Sequence, residues 1–147
     1  MEKTDREILR LLATDGRMSY TDLGKATGLS TSAVHQRVKR LEKAGVISGY
    51  RALIDPAALG MALTAFISIT PIDVAHPDNY PDLLAEIREI ESCWSVAGEE
   101  SYILKVQTTT PAALEDLLGR VRAVANVSTR TTVVLSTPYE DRRAAAE

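Results

Sequence analysis

Cysteine is almost missing from this chain. One thiol, Cys93, in 147 residues excludes an intrachain disulfide framework and any metal site built from several cysteines. Histidine is nearly as scarce: His35 and His76 lie far apart, which leaves no His-rich cluster, so no metal and no cofactor are expected. No segment approaches the run of about 20 apolar residues that a membrane-spanning helix needs. The opening MEKTDREILR alternates charges where a secretory leader would place a basic stretch and an apolar core. The expectation is a cytoplasmic protein with no membrane partner. The hydrophobic fraction of 45% and charged fraction of 25% are those of a globular protein. The length suits one ordinary domain or two small ones.

The net charge of −3 conceals an uneven distribution. Residues 1–55 carry ten Lys/Arg against seven Asp/Glu, whereas residues 56–147 carry seven against thirteen. Only the front of the chain is suited to face a polyanion. The periodicity changes with the charge. In the front part, Thr4 with Glu7 forms a T-x-x-E capping box ahead of Ile8, Leu11 and Leu12, and Gly16 ends that helix. Ser19 with Asp22 opens a second helix that stops at Gly28. Ser30 caps a third, with Leu29 and Val34 as a hydrophobic staple and Gly45 at its end. VISGYRALI then alternates as an extended strand or short hairpin, and DPAALG punctuates the chain.

Beyond Met61 the pattern is strand, helix, strand, strand, helix, strand. LTAFISIT alternates Leu63, Ala65, Ile67 and Ile69 onto one face. A helix is expected over 79–91 with Leu83, Leu84, Ile87 and Ile90 inward. CWSVAG and SYILKVQ follow as strands around a turn at 98–100, with Cys93 and Trp94 read as buried strand residues. Thr110-Pro111 starts a helix with Leu114, Leu117, Leu118 and Val121 inward, and TRTTVVL closes the set. The order predicts an α+β chain: a three-helix helix-turn-helix domain over 1–45, a linker strand over 46–60, a ferredoxin-like βαββαβ domain over 61–137, and a tail over 138–147. Such a sheet has helices on one face only. Ile103, Lys105 and Gln107 alternate with Tyr102, Leu104 and Val106, so both faces carry apolar groups, as expected if the second is buried between subunits.

The stretch LSTSAVHQRVKRLEKAGVI carries the most specific signal. At 100° per residue, Val38 and Leu41 fall within about 40° of Val34, while Ser32, Gln36, Lys39 and Lys43 cluster on the far side. Gly24, Gly28 and Val34 stand at the spacing of a helix-turn-helix: a small residue where helices cross, a turn glycine able to take positive φ, and a buried β-branched residue. A solvated basic helix in an ordinary bundle would share the charges but not the glycine spacing. The outward set, Ser30, Thr31, Ser32, His35, Gln36, Lys39, Arg40 and Lys43, combines groups that read base edges with cations that meet phosphates. Arg37 lies toward the core edge, where it either joins them or braces the domain.

With TDREILRLLATDGRMSYTDLGKATGLSTSAVHQRVKRLEKAGVISGYRALIDPAALG, and with AFISI, ESCWSVAGEESYILKV and ANVSTRTTVVL downstream, the chain resembles the Lrp/AsnC (feast-famine) transcription regulators from about Thr4 to Leu135. The resemblance implies a sequence-specific DNA-binding regulator acting on a pseudo-palindromic operator in double-stranded DNA. It also implies a C-terminal domain that senses a small amino acid, and homodimers that assemble into larger rings, often octamers. The family's effector turn, G-x-x-D-Y, matches Gly98, Glu99, Glu100, Ser101 and Tyr102, with Ser101 where the family has aspartate; Glu99 or Glu100 would then supply the carboxylate. Gly98 would permit the turn and a close backbone approach. Thr129 and Thr131 share one face of the last strand and are candidates for the same ligand. An enzyme on the same scaffold, resembling sirohaem decarboxylases, is the alternative, although acid–base chemistry there would want histidine or arginine in a pocket of the second domain, whose one histidine, His76, falls in a loop.

Overall fold

In the computed structural model, residues 1–75 and 78–141 are described. His76, expected to be solvated in its loop, and the last six residues of the tail fall outside them. The described residues divide into two compact units, Met1–Leu53 with 139–141, and Ile54–Pro138.

The first unit holds α1 (Lys3–Thr14), α2 (Tyr20–Thr27) and α3 (Thr31–Lys43). Ile8, Leu23, Val34 and Val38 are wholly buried and pack with Leu11, Leu12, Met18 and Leu29, so one small core serves all three helices. The turn chemistry follows the sequence at α2 and α3. The Asp22 amide donates to the Ser19 hydroxyl at 3.0 Å, and the Ala33 amide donates to the Ser30 hydroxyl at 3.2 Å. Gly28 closes α2 at φ +73, and Gly45 follows α3 at φ +70.

The expected box at the start of α1 is not formed. That helix begins two residues earlier, with Glu2 at the cap position and no side-chain cap bond. Glu7 instead holds the Arg10 guanidinium one turn on, at 2.7 Å, which removes it from the helix terminus. Nor is the linker strand seen. Apart from the 3-10 turn Pro56–Leu59, capped by Asp55 through the Ala57 amide at 3.0 Å, residues 48–55 enter no ladder among the described residues. A strand needs a partner, and among the described residues none lies beside this segment.

The second unit is a four-stranded antiparallel sheet in the order β2-β3-β1-β4. It comprises β1 (Leu63–Pro71), β2 (Ile90–Ser95), β3 (Tyr102–Thr108) and β4 (Val127–Val133), with α4 (Tyr80–Leu84) and α5 (Pro111–Ala125) between them. Both helices pack on one face, where Ala65, Ile67, Ile69, Leu104 and Val106 meet Leu84, Leu114, Leu117 and Val121. Thr110 caps α5 through the Ala113 amide at 3.1 Å with Pro111 in the first turn.

Two expectations fail in this unit. The helix predicted over 79–91 stops at Leu84. Ile90 is not a helix residue; it pairs with Val106 as the first residue of β2, because a β-branched residue gains more in a ladder than in a frayed last turn. Cys93 and Trp94 are exposed, not buried. They lie on the edge strand β2: Cys93, paired with Leu104, is on the helix side beyond the reach of the one-turn α4, and Trp94, paired with Ile103, is on the side that carries no helix.

Candidate functional site

On α3, the face opposite Val34, Val38 and Leu41 is open: Ser30, Thr31, Ser32, His35, Gln36, Lys39, Arg40 and Lys43 are all exposed. Gly24 is what lets α2 come this close. A Cβ at that position would stand 2.6 Å from the Leu29 carbonyl oxygen, so only glycine fits the crossing. The His35 ring packs edge-on against Tyr20 with centroids 5.2 Å apart, fixing its direction on the outer face.

The basic residues of α3 are less free than the sequence suggests. Asp5, on α1 and only 4% exposed, accepts from Arg37 through one oxygen at 2.9 Å and from Arg40 through the other at 2.8 Å. Arg37 also donates to Glu2 at 2.7 Å, so of the two roles open to it, bracing is the one the structure displays. The Arg37 guanidinium is held charged well above its ordinary range, first by Glu2 and then by Asp5. Lys39 reaches Glu42 at 2.9 Å, and Tyr50 donates its phenol proton to the other Glu42 oxygen at 3.1 Å. Lys39 and then Tyr50 push the Glu42 carboxyl below the usual carboxylate range. Burial, followed by the bond to Glu42, raises the Tyr50 phenol to about 12. Sequence reasoning missed Asp5, though a signal was present: it sits three residues before Ile8, on the inward face of α1.

In the second unit, the residues singled out around the turn divide between the two faces of the sheet. A shallow recess on the uncovered side is lined by Ser68, Thr70, Glu99, Glu100, Ser128, Thr129 and Arg130. Glu100 accepts from the Ser68 hydroxyl at 3.3 Å and lies 3.7 Å from Arg130. Glu99 is far more open, at 3.9 Å from the same guanidinium. The Ser101 amide donates to the Ile69 carbonyl at 3.0 Å, tying the turn to β1. Gly98 does not take positive φ, and a Cβ there would meet only the Glu100 carboxylate at 3.6 Å; the turn itself does not demand glycine.

Tyr102 belongs to the helix-covered side, where its phenol donates to Asp78 at 2.8 Å and its ring packs against Tyr80. That bond, more than burial, raises its pKa. Arg122 of α5 donates to the Thr129 hydroxyl at 2.9 Å. Thr131, paired with Ile67, shares that side. Ser128 and Arg130, one register step away, occupy the uncovered face; alternation alone could have selected them, had the covered face been known.

A helix-turn-helix unit with an outward polar helix, joined to a separate sheet domain that carries a polar recess, is the build of a DNA-binding regulator. Known families divide the chain the same way. Residues 1–48 match the model described as winged helix-turn-helix DNA-binding, and residues 64–144 match the Lrp/AsnC ligand binding domain. The chain belongs to the Lrp/AsnC family of transcriptional regulators.

Among its relatives is the HTH-type transcriptional regulator LrpA of Mycobacterium tuberculosis, 52% identical over 143 residues, covering 97% of this chain and 95% of the relative. The leucine-responsive regulatory protein of Salmonella typhimurium is 36% identical, covering 97% and 90%. Among solved structures, a feast or famine regulatory protein from M. tuberculosis complexed with L-methionine superposes with a TM-score of 0.95 at 52% identity, covering 97% of each chain. A transcriptional regulator from Neisseria meningitidis in complex with L-methionine gives 0.88 at 26% identity, covering 95% of this chain and 93% of that one. These relatives are named as regulators and not as enzymes, so the decarboxylase-like alternative is not favoured.

Proposed function

We propose that this regulator binds a pseudo-palindromic operator as a dimer through the exposed face of α3, and that a small amino acid changes its DNA affinity or its assembly. The observation that carries the reading is the outer face of α3, on which Ser32, His35 and Gln36 stand exposed while the opposite face is locked into a core. Amide, hydroxyl and imidazole groups at that place suit base edges in a major groove. Ser30 and Thr31, at the amino end of the helix, suit a phosphate. Lys43 is placed to meet a phosphate, and Lys39 and Arg40 would do so on leaving Glu42 and Asp5, with Arg37 as brace. Two such helices in one dimer would enter successive major grooves about 34 Å apart.

The effector reading rests on the turn from Gly98 to Tyr102 and the recess beside it. Glu100 next to Arg130 offers one partner for an ammonium and one for a carboxylate. A free amino acid carries both, and relatives bound to L-methionine support the choice. On the uncovered sheet face, Phe66 and Ile103 are only half-buried and Trp94 is exposed, which favours a homodimer that covers them and assembles further, as an octamer. Residues 1–45 would then bind DNA, 46–60 act as hinge, 61–137 sense and assemble, and 138–147 trail as a tail. The cytoplasm is the compartment this reading assigns.

Fluorescence anisotropy on a duplex from the protein's own upstream region and on a scrambled duplex, at two salt concentrations and with or without pooled amino acids, tests it. The expected outcome is a preference for the upstream duplex that survives higher salt and moves with the pool. Gln36→Ala should narrow the preference between duplexes, while Lys43→Ala should weaken binding to both and flatten the salt dependence by about one unit of slope. Equal losses on both duplexes for both variants would overturn the assignment of Gln36 to base reading.

A further inference from the structure

The recognition helix carries four cations, and three of them are already occupied. Arg37 and Arg40 share the two oxygens of Asp5, at 2.9 and 2.8 Å. Arg37 also reaches Glu2 at 2.7 Å, and Lys39 reaches Glu42 at 2.9 Å. Among the described residues only Lys43 of this helix has no carboxylate within reach. We propose that Asp5, Glu2 and Glu42 are specificity determinants of DNA binding, because by holding the cations of α3 they suppress its attraction to phosphates of arbitrary sequence. The inference rests on the reading of α3 as the DNA-contacting helix.

Sequence-independent affinity comes from cations that neutralise phosphates and release the counterions condensed there. A cation that keeps its own carboxylate releases none. One that moves to a phosphate must first leave its partner. Leaving Glu42 is a small loss, since an exposed pair is weak. Leaving Asp5 is a larger one: that carboxylate is buried, and without its guanidinium groups it stays uncompensated in the domain interior. Ser32, His35 and Gln36 make none of these ion pairs, so base reading remains at full strength while phosphate attraction is held down. The ratio of specific to nonspecific binding rises as a result.

The test measures salt dependence by anisotropy for wild type, Glu42→Gln and Asp5→Asn, on a duplex selected by the wild-type protein from a randomised pool and on a scrambled duplex. Glutamine at 42 still offers Tyr50 an acceptor, so this variant keeps its local structure and stands alone where Asp5→Asn does not fold. Each freed cation is expected to steepen the plot of log affinity against log salt by about 0.9. It should tighten the scrambled duplex roughly two- to fivefold, with a smaller gain on the selected duplex and so a lower ratio. Adding Lys39→Gln to Glu42→Gln should restore the wild-type slope, which a merely structural role of Glu42 would not do. If wild type discriminates between the duplexes but Glu42→Gln changes neither slope nor ratio, the proposal is wrong and the DNA-binding reading stands. If wild type binds neither duplex, both fall.

Discussion

Gly24 and Asp5 are two small residues on which the first unit depends. At Gly24 a methyl group would lie 2.6 Å from a backbone carbonyl oxygen, which cannot swing aside as a side chain can. Gly24→Ala is therefore expected to destabilise the first unit by about 1–3 kcal/mol, although alanine is the better helix former by about 1 kcal/mol. Urea unfolding followed by circular dichroism would check this, and unchanged stability would mean that α2 and α3 can part without loss. Gly24 was legible in the sequence because a helix-turn-helix fixes its spacing to Gly28 and Val34. Asp5 was legible only as a carboxylate on an inward face; its partners were not, because they lie 32 and 35 positions away, and no local period relates a carboxylate to a guanidinium on another helix.

Single elements were legible where capping and periodicity agree. Ser30 and Thr110 both cap as their spacing requires. Ser30→Ala is expected to cost about 1 kcal/mol of stability and, by fraying the first turn of α3, to weaken operator binding more than the stability loss alone; anisotropy at a temperature where the variant is fully folded would separate the two. Legibility ended where two periods compete. From Leu83 to Ile90 the apolar residues fit a helix, yet the chain stops the helix at Leu84 and spends Ile90 on a pair with Val106. That outcome is decided by a strand in another part of the sequence. Thr129 likewise looked available on its strand. Only the placement of α5 shows that its hydroxyl is engaged by Arg122, although the residue also lines the recess.

Across the whole molecule, carboxylates in both units are held below their usual range by cations, chiefly Glu7 by Arg10, Glu42 by Lys39 and Glu89 by Arg120. A depressed carboxyl stabilises the fold above its ordinary value of 4.5 and loses that contribution as pH falls through the folded value. Denaturant midpoints should thus fall on acidification below that point. In Glu89→Gln the fall should be smaller, since the Arg120 clasp, which links the entry of β2 to α5, is then absent at every pH. An equal fall in wild type and variant would show that Glu89 does not contribute. The division into two units was visible in the change of period near residue 60 and in the reversal of charge. The missing linker strand was not, because its alternation is a property of the segment while a ladder is a property of two.

The ion pairs at the start of α1 also bear on how the protein is handled. Glu2 is the second residue, and its carboxylate touches the recognition helix. Whatever is fused ahead of Met1 for purification therefore sits beside Arg37. An acidic tag would add to the restraint on that guanidinium and a polyhistidine tag would compete with it, so affinities measured on tagged and cleaved protein will differ, most of all at low salt.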